Sequence, residues 1–241
     1  MGIVGAGRIG SALTAALRDA GVAVEGPHGR GGRPAGCDAI LLCVPDAEIA
    51  AAAEVVTAAA PLVGHTSGAT PLSALAHAGV AGFGLHPLQT VAHSEVRFDG
   101  ASAAVAGSTP EALAFAGALA ERLGMTPFEI DDEGRAAYHA AASVASNFLV
   151  TLQAAAETIA CGAGLEPEQA RALLAPLVRQ TVENVAELGP EAALTGPVAR
   201  GDEATVAAQR SAVEEAAPQL LGLFDELVRR TRELARHEAR A

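Results

Sequence analysis

The amino-acid sequence predicts an α/β fold with a doubly wound, mainly parallel sheet, followed by an all-helical domain. Short apolar segments alternate with helical segments as far as Ile130, an alternation typical of a parallel sheet with helices on both faces. Beyond Asp131-Asp132 the apolar residues recur only at helical spacing. The sequence therefore predicts a first domain of residues 1–131 and a second domain of residues 132–241.

The elements of the first domain are predicted from apolar runs and from the residues that end them. Asp46 is expected to cap the helix that follows Pro45, while Gly21 and Gly124 are expected to end two other helices. The predicted strands comprise residues 2–5, 22–25, 39–44, 62–65, 81–85, 101–106 and 127–130, and the predicted helices comprise residues 9–20, 46–60 and 110–123.

The second domain is predicted to contain four helices. The first extends over residues 134–160 with no glycine or proline inside it, and the others begin at Pro167, after Asp202 and at Pro218. Because a helical domain of about 110 residues buries little surface alone, we expect it to form a homodimer.

The composition excludes several functional classes. A net charge of −12 argues against nucleic-acid and anionic-membrane partners, and no run of about 18 apolar residues suggests a membrane span. Three cysteines without metal-ligand spacing predict a reducing, cytoplasmic location and no metal site. All 16 basic residues are arginines, so a lysine cannot act as a Schiff base, a proton donor or a phosphate ligand.

A glycine motif follows the first predicted strand. Gly5-Ala6-Gly7-Arg8-Ile9-Gly10 has the G-x-G-x-x-G spacing and opens a helix, which is the context that a dinucleotide-binding Rossmann domain requires. Gly5 permits a tight turn, Gly7 lets a pyrophosphate approach the backbone, and Gly10 allows close packing of helix and strand. The alternative is a glycine-rich turn in an unrelated α/β protein.

Arginines after the second predicted strand favour NADP(H) as the cofactor. NAD-binding domains place a carboxylate at this position, whereas NADP-binding domains favour an arginine. Glu25 is the only nearby acid, and it precedes a glycine-rich loop that contains Arg30 and Arg33. We therefore expect Arg30 to bind the 2′-phosphate, with two solvated loop arginines as the alternative.

Polar residues also follow three other predicted strands. Ligands bind beyond the carboxyl ends of strands in open α/β sheets, so Val44, Pro45 and Ser67 are predicted to contact the cofactor and His86 to contribute to catalysis. For Ser67 and His86, satisfying local backbone groups is an equally good explanation.

The first helix of the second domain carries candidate catalytic residues. His139, Ser143 and Asn147 are spaced four residues apart on an alanine-rich helix, which places them on one broad stripe. His139 is the predicted proton donor, and Ser143 and Asn147 are predicted to orient the substrate. Close packing of helices is the structural alternative. Arg200, in a Gly-Pro-containing turn, is predicted to bind an acidic group or else to cap a helix end.

These motifs together resemble one family. The segments GAGRIG, VPD, HTSG, GLHPLQT, YHAAASVASN and LTGPVARGD, in that order, are similar to those of a poorly characterised bacterial family with a Rossmann-like NADP-binding domain and a C-terminal domain of unknown function. More distantly, the chain resembles the pyrroline-5-carboxylate reductase, ketopantoate reductase and 6-phosphogluconate dehydrogenase superfamily. It lacks the lysine of the K-x-x-x-N pair found in β-hydroxyacid dehydrogenases.

The resemblance implies a fold and a function. It implies a 6-phosphogluconate dehydrogenase C-terminal-like helical domain that forms a dimer, with an active site between the domains. The sequence thus predicts an NADP(H)-dependent oxidoreductase that acts on a C=O or C=N bond of a small, anionic substrate. A non-catalytic NADP(H) sensor is the alternative, and an assembly protein with a vestigial glycine loop is a third possibility.

Overall fold

The computed structural model describes residues 1–56, 59–92 and 96–238. The chain divides into two compact units, Met1–Ser146 and Asn147–Ala241. The first contains the sheet and the helices that cover it, and the second is helical. The units divide after Ser146, whereas the predicted domain boundary follows residue 131. The segment between these two positions consists mainly of one helix that belongs to the first unit.

One seven-stranded sheet forms the centre of the first unit. Its strands are β1 (Gly2–Val4), β2 (Glu25–His28), β3 (Ala39–Leu42), β4 (Leu62–His65), β5 (Ala81–Leu88), β6 (Ser102–Gly107) and β7 (Thr126–Glu129). They lie in the order β2-β1-β3-β4-β5-β6-β7, and every neighbouring pair is parallel except β5 with β6. The chain turns from β2 back across β1 to β3, so the strand order reverses beside β1, where such sheets bind ligands.

Helices α1 (Arg8–Asp19), α2 (Ile49–Val56), α3 (Pro110–Arg122) and α4 (Arg135–Ala145) complete the first unit. Ile40 and Leu42 face one core of the sheet and Leu41 faces the other, and all three are fully buried. Burial on both faces explains why β3 is a continuous apolar run. The predicted class of a doubly wound, mainly parallel sheet is therefore confirmed.

The second strand lies later in the chain than predicted. Residues 22–25 were expected to form it, but β2 is Glu25–His28 and pairs with β1 through Gly2–Glu25 and Val4–His28. Val22 and Val24 pack against the core from the connection that precedes the strand. Their apolar character therefore reflects core packing and not strand pairing.

Two predicted helices also differ from the structure. Residues 46–60 were expected to form one helix that Asp46 caps. A 3-10 turn at Asp46–Glu48 instead precedes α2, and no side-chain capping hydrogen bond is found at its start among the described residues, which exclude positions 57 and 58. The helix expected at residues 134–160 is interrupted at Ser146, where φ is −117° and ψ is −72°. The 3-10 segment Leu72–Ala78 was not predicted.

The second unit contains α5 (Asn147–Gly162), α6 (Pro167–Leu188), α7 (Pro190–Ala193), α8 (Glu203–Ala216) and α9 (Leu221–Glu238). The start of α6 at Pro167 agrees with the prediction, and Asp202 caps α8 by accepting a hydrogen bond from Thr205 N–H at 3.1 Å. The short helix α7 was not predicted.

One stretch, Arg135–Gly162, is long and apolar enough to cross a membrane by length and composition alone. No residue in the most apolar 18-residue part of this stretch is buried against the described residues. A helix that packs against another protein subunit has the same composition, so the expected absence of a membrane partner stays a prediction.

Candidate active site

The glycine loop between β1 and α1 is packed so closely that side chains are excluded at two of its positions, Gly5 and Gly10. Gly5 has a φ of +111°, and a Cβ atom there would overlap the carbonyl oxygen of Cys43 at the end of β3. A Cβ atom on Gly10 would overlap the carbonyl oxygen of Gly5. Hydrogen bonds from Gly5 N–H to His28 O and from Cys43 N–H to Val4 O fix the loop to both neighbouring strands.

The N-terminus of α1 is open at Gly7. Among the residues that the structure describes, no side chain caps this helix, and a Cβ atom on Gly7 would meet none of their atoms within 4 Å. Arg8 and Ile9 occupy its first turn, where backbone N–H groups have no partner inside the helix. Such a terminus binds anions, so the predicted roles of Gly5, Gly7 and Gly10 fit a dinucleotide pyrophosphate.

A cavity of about 350 Å³ lies beside this loop. Its walls are mainly aliphatic, and Arg30 and Glu48 stand at it as an ion pair with a 2.5 Å Nη2–Oε1 distance. The lining residues are Val4, Arg30, Gly31, Gly32, Val44, Glu48, Ala51, Ala52 and Val55. The predicted cofactor contacts Arg30 and Val44 therefore share one cavity, while Pro45 lies exposed next to it.

Glu25 is placed away from this cavity. It is the first residue of β2, where its carboxylate accepts hydrogen bonds from the Ala35 N–H and the Cys37 thiol. Those hydrogen bonds, of which that from Ala35 contributes most, lower the pKa of Glu25. A carboxylate that reads the ribose of NAD stands at the other end of this strand, so Glu25 does not fill that role.

Hydrogen bonds of Ser67 hold the conformation of the loop after β4. The hydroxyl of Ser67 accepts hydrogen bonds from the N–H groups of Ala69 at 3.2 Å and Thr70 at 2.9 Å, and Ser67 N–H donates to His65 Nδ1 at 3.2 Å. Ser67 is buried. Its side chain therefore holds the loop, and a contact between Ser67 and a cofactor stays a prediction.

Three ring side chains meet beside this loop, at the carboxyl edge of the sheet. His86 of β5 and Tyr138 of α4 form a 2.6 Å hydrogen bond between Nδ1 and the hydroxyl. The His86 and His139 rings lie 6.0 Å apart, centroid to centroid. A Cβ atom on Gly68 would lie 2.8 Å from His86 Cε1 and 2.9 Å from His139 Cδ2, so glycine is needed between the two rings.

We define the histidine–tyrosine cluster as His86, Tyr138 and His139. Burial sets the protonation of two of its members, His86 and Tyr138. Burial, with the nearby His139 and Arg135, lowers the pKa of His86 to about 4, so this imidazole is neutral at pH 7. Burial also raises the pKa of the Tyr138 hydroxyl, an effect that Arg135 opposes. The cluster at neutral pH thus holds a neutral imidazole hydrogen-bonded to a protonated phenol.

A buried arginine lies close enough to the cluster for its charge to act on His86 and Tyr138. Arg135, 1% exposed, donates from Nη1 to the Ser67 carbonyl oxygen at 3.3 Å and from Nε to Asp132 Oδ1 at 3.2 Å. The Asp132 carboxylate also accepts from the N–H groups of Leu72 and Ser73. Arg135 and Asp132 therefore tie α4 to two loops.

Sequence reasoning did not identify Tyr138, Arg135 or Asp132 as functional residues. Tyr138 is the only tyrosine in the chain and immediately precedes His139, so composition offered a signal for it. Arg135 offered none, because sixteen arginines are present and burial of one is a property of the tertiary structure.

The other predicted catalytic residues are more scattered. Ser143 is half-buried on α4, one turn beyond His139. Asn147 begins α5 and Arg200 lies exposed in the turn before α8, and both belong to the second unit. Their predicted roles stay predictions. Among the described residues, no group of three or more His, Cys, Asp or Glu side chains could hold a metal ion.

The sequence matches the model of a known protein family. Residues 101–231, more than half of the chain, match the model of a domain of unknown function, DUF2520. The chain belongs to the DUF2520 family. The match confirms the predicted membership of a family with a C-terminal domain of unknown function. No curated protein matches the sequence of this DUF2520 protein.

Solved structures share the fold of this DUF2520 protein over nearly its whole length. A Bacteroides fragilis protein described as an NADP oxidoreductase has 23% identity and a TM-score of 0.79, covering 96% of this chain and 97% of its own. A Thermotoga maritima protein has 25% identity and a TM-score of 0.75, covering 99% of both chains.

Pyrroline carboxylate reductase from Plasmodium falciparum, solved with NADP bound, is similar at 12% identity and a TM-score of 0.62, covering 97% of both chains. These similarities agree with the predicted Rossmann-type domain followed by helices.

Proposed function

We propose that this DUF2520 protein is an NADP(H)-dependent oxidoreductase that reduces, or in reverse forms, a C=O or C=N bond of a small, anionic substrate. The observation that carries the proposal is the position of the histidine–tyrosine cluster. The cluster lies at the same carboxyl edge of the sheet as the glycine loop. The glycine loop follows β1, the loop beside the cluster follows β4, and only β3 lies between these two strands.

The glycine loop supports dinucleotide binding by its shape. Side chains are excluded at Gly5 and Gly10, the approach at Gly7 is open, and an uncapped helix N-terminus faces the pyrophosphate position. The apolar cavity next to it has the lining that an adenosine moiety requires, and Arg30 at its rim supports a preference for a 2′-phosphate. Structural neighbours described with NADP support the same choice.

The chemistry would be divided between cofactor and protein. NADP(H), when bound, supplies or accepts the hydride. The protein would bind the dinucleotide along the carboxyl edge and hold the reacting bond beside Gly68. It would also provide the proton that the substrate oxygen or nitrogen gains during reduction. The histidine–tyrosine cluster supports this role because two imidazoles and a phenol, all groups that can carry a proton, converge there.

Assembly and substrate anchoring are further parts of the proposal. The second unit exposes large apolar side chains on three helices, among them Phe148, Leu173, Leu177 and Leu227, which supports a homodimer. Arg200 is proposed to bind the acidic group of the substrate. It is exposed, and a guanidinium binds a carboxylate through two parallel hydrogen bonds.

Cofactor binding and turnover, measured separately, test the proposal. We expect NADPH to raise the melting temperature more than NADH does, and we expect NADPH oxidation in a screen of keto acids and cyclic imines. Gly10→Val, which would place a side chain against Gly5, should abolish both effects while Gly222→Val, at an open position on α9, should not. NADPH binding without turnover on any of these substrates would support a sensor and contradict the enzyme.

A further inference from the structure

We infer that Tyr138 is the proton donor of the proposed reaction and that His86 positions its hydroxyl. This inference rests on the proposed function and specifies one residue within the histidine–tyrosine cluster. Sequence reasoning favoured His139 for this role, because histidine is a common proton donor and the chain contains no lysine to take that part.

The geometry distinguishes Tyr138 from its neighbours. Its hydroxyl is held at 2.6 Å from His86 Nδ1, and its ring packs edge-to-face against His86 and against Phe128 of β7. A donor fixed by a hydrogen bond and two ring contacts loses little freedom when the substrate binds. For His139 the structure shows a ring contact with His86, and no hydrogen bond of its ring is found among the described residues.

The surroundings keep the phenol able to donate. Burial holds Tyr138 in its protonated form at neutral pH, and the Arg135 cation nearby stabilises the phenolate that remains after donation. Arg135 is itself fixed by Ser67 and Asp132. His86 is neutral, so the tautomer with hydrogen on Nδ1 can donate to the Tyr138 oxygen without adding a charge.

The proposed step uses the tautomer of His86 that carries hydrogen on Nδ1. In this tautomer His86 donates to the Tyr138 oxygen, and the phenol gives its own proton to the substrate oxygen or nitrogen. The substrate carbon would gain a hydride from NADPH, which would become NADP⁺. A phenolate hydrogen-bonded to Nδ1–H is left, and solvent reprotonates it.

Turnover in matched variants tests the assignment. With the best substrate from the screen, Tyr138→Phe should lower kcat by about 10²- to 10⁴-fold, the usual contribution of a general acid, and leave NADPH affinity unchanged. His139→Ala should lower kcat by less than about tenfold. Phe128→Leu removes a ring that packs on Tyr138 but no proton, so a fall much smaller than that of Tyr138→Phe separates proton donation from packing.

The chain offers a second readout that needs no substrate. Tyr138 is the only tyrosine and tryptophan is absent, so the ultraviolet absorbance of tyrosinate reports this residue alone. The folded protein should form tyrosinate at higher pH than the same protein unfolded in guanidinium. His86→Ala should raise that pH further, because the phenolate loses its Nδ1–H donor, and His86→Gln should restore part of the difference by supplying an amide N–H.

The outcomes separate this inference from the proposed function. Full turnover in Tyr138→Phe, or a large loss in His139→Ala with a small loss in Tyr138→Phe, overturns the inference and leaves the oxidoreductase intact. Tyrosinate that forms at the same pH in folded, unfolded and His86→Ala protein also overturns it. If the unmodified protein binds no NADPH or oxidises none, the proposed function fails and the inference falls with it.

Discussion

The guanidinium of Arg135 donates a hydrogen bond to the carbonyl oxygen of Ser67, a residue 68 positions earlier in the chain. This contact joins the start of α4 to the loop after β4, and the histidine–tyrosine cluster is formed where these two segments meet. Arg135 is also paired with Asp132, whose carboxylate holds the N–H groups that begin the Leu72–Ala78 segment. A single buried cation therefore organises three segments around the candidate site.

Replacement of Arg135 should cost much more stability than replacement of an exposed arginine. Arg135→Met leaves the Ser67 carbonyl oxygen without its donor and Asp132 without its cation, so we expect a loss of about 2–4 kcal/mol in the free energy of unfolding. Arg97→Met is the matched control. It removes an exposed arginine paired with Asp99 and should cost less than about 1 kcal/mol. Urea unfolding of both variants measures the difference, and equal losses would refute a structural role for the buried cation.

Cofactor preference should depend on Arg30 and on its partner Glu48. Arg30→Ala should reduce the ratio of NADPH to NADH affinity, because a 2′-phosphate loses its guanidinium. Glu48→Gln should increase that ratio by a few fold, since Arg30 no longer shares its charge with a carboxylate in an exposed pair worth up to about 1 kcal/mol. Arg33→Ala, in the same loop, serves as the control and should change the ratio little. Titration with both cofactors measures this, and equal affinities in the unmodified protein would contradict the NADP(H) assignment.

The free energy of unfolding should decrease as the pH falls below about 6.5, where few carboxylates are yet protonated. Burial, with Arg135, lowers the pKa of His65 from 6.5 to about 4, and His86 has a pKa lowered to the same value. Both histidines therefore bind protons in the unfolded chain at a higher pH than in the folded protein. Their stabilising contribution is fully present above about pH 6.5 and is lost as the pH falls towards 4.

The slope of the free energy of unfolding against pH measures how many more protons the unfolded chain binds than the folded protein. Between pH 5 and 6.5 each histidine should contribute on average roughly 1 kcal/mol per pH unit, so the free energy of unfolding should fall about twice as steeply in the unmodified protein as in His65→Gln. Glutamine retains an acceptor for the Ser67 N–H, which favours folding of the variant. Urea unfolding at several pH values gives both slopes, and identical slopes would show that His65 is protonated as readily in the folded protein as in the unfolded chain.

Light scattering should give a homodimer at micromolar concentration. Leu173 and Leu177 are 60% and 64% exposed and lie one turn apart on α6, so Leu177→Glu should shift the protein towards monomer by placing a charge in the apolar surface. Arg179→Glu introduces the same side chain on the opposite side of α6 and should leave the dimer intact. A monomer in the unmodified protein would refute the assembly.

The sequence by itself determined the fold class and the glycine loop, because both follow from local rules. Strands β3 and β4, helix α6, the cap at Asp202 and the G-x-G-x-x-G loop are each encoded within a few neighbouring residues. The second strand was misplaced, since the valines before it are apolar for packing against the core. The interruption at Ser146 carried no glycine or proline to indicate it.

Only the tertiary structure decided which polar residues form the site. His86 and Tyr138 are 52 positions apart, and whether their side chains meet depends on how α4 packs within the first unit. The Arg135 charge that helps to lower the pKa of His86 comes from a segment distant from it in sequence, and the burial of that ring depends on the packing of the fold. Local propensity and periodicity report what a segment does by itself, whereas desolvation and charge at a site depend on everything packed around it.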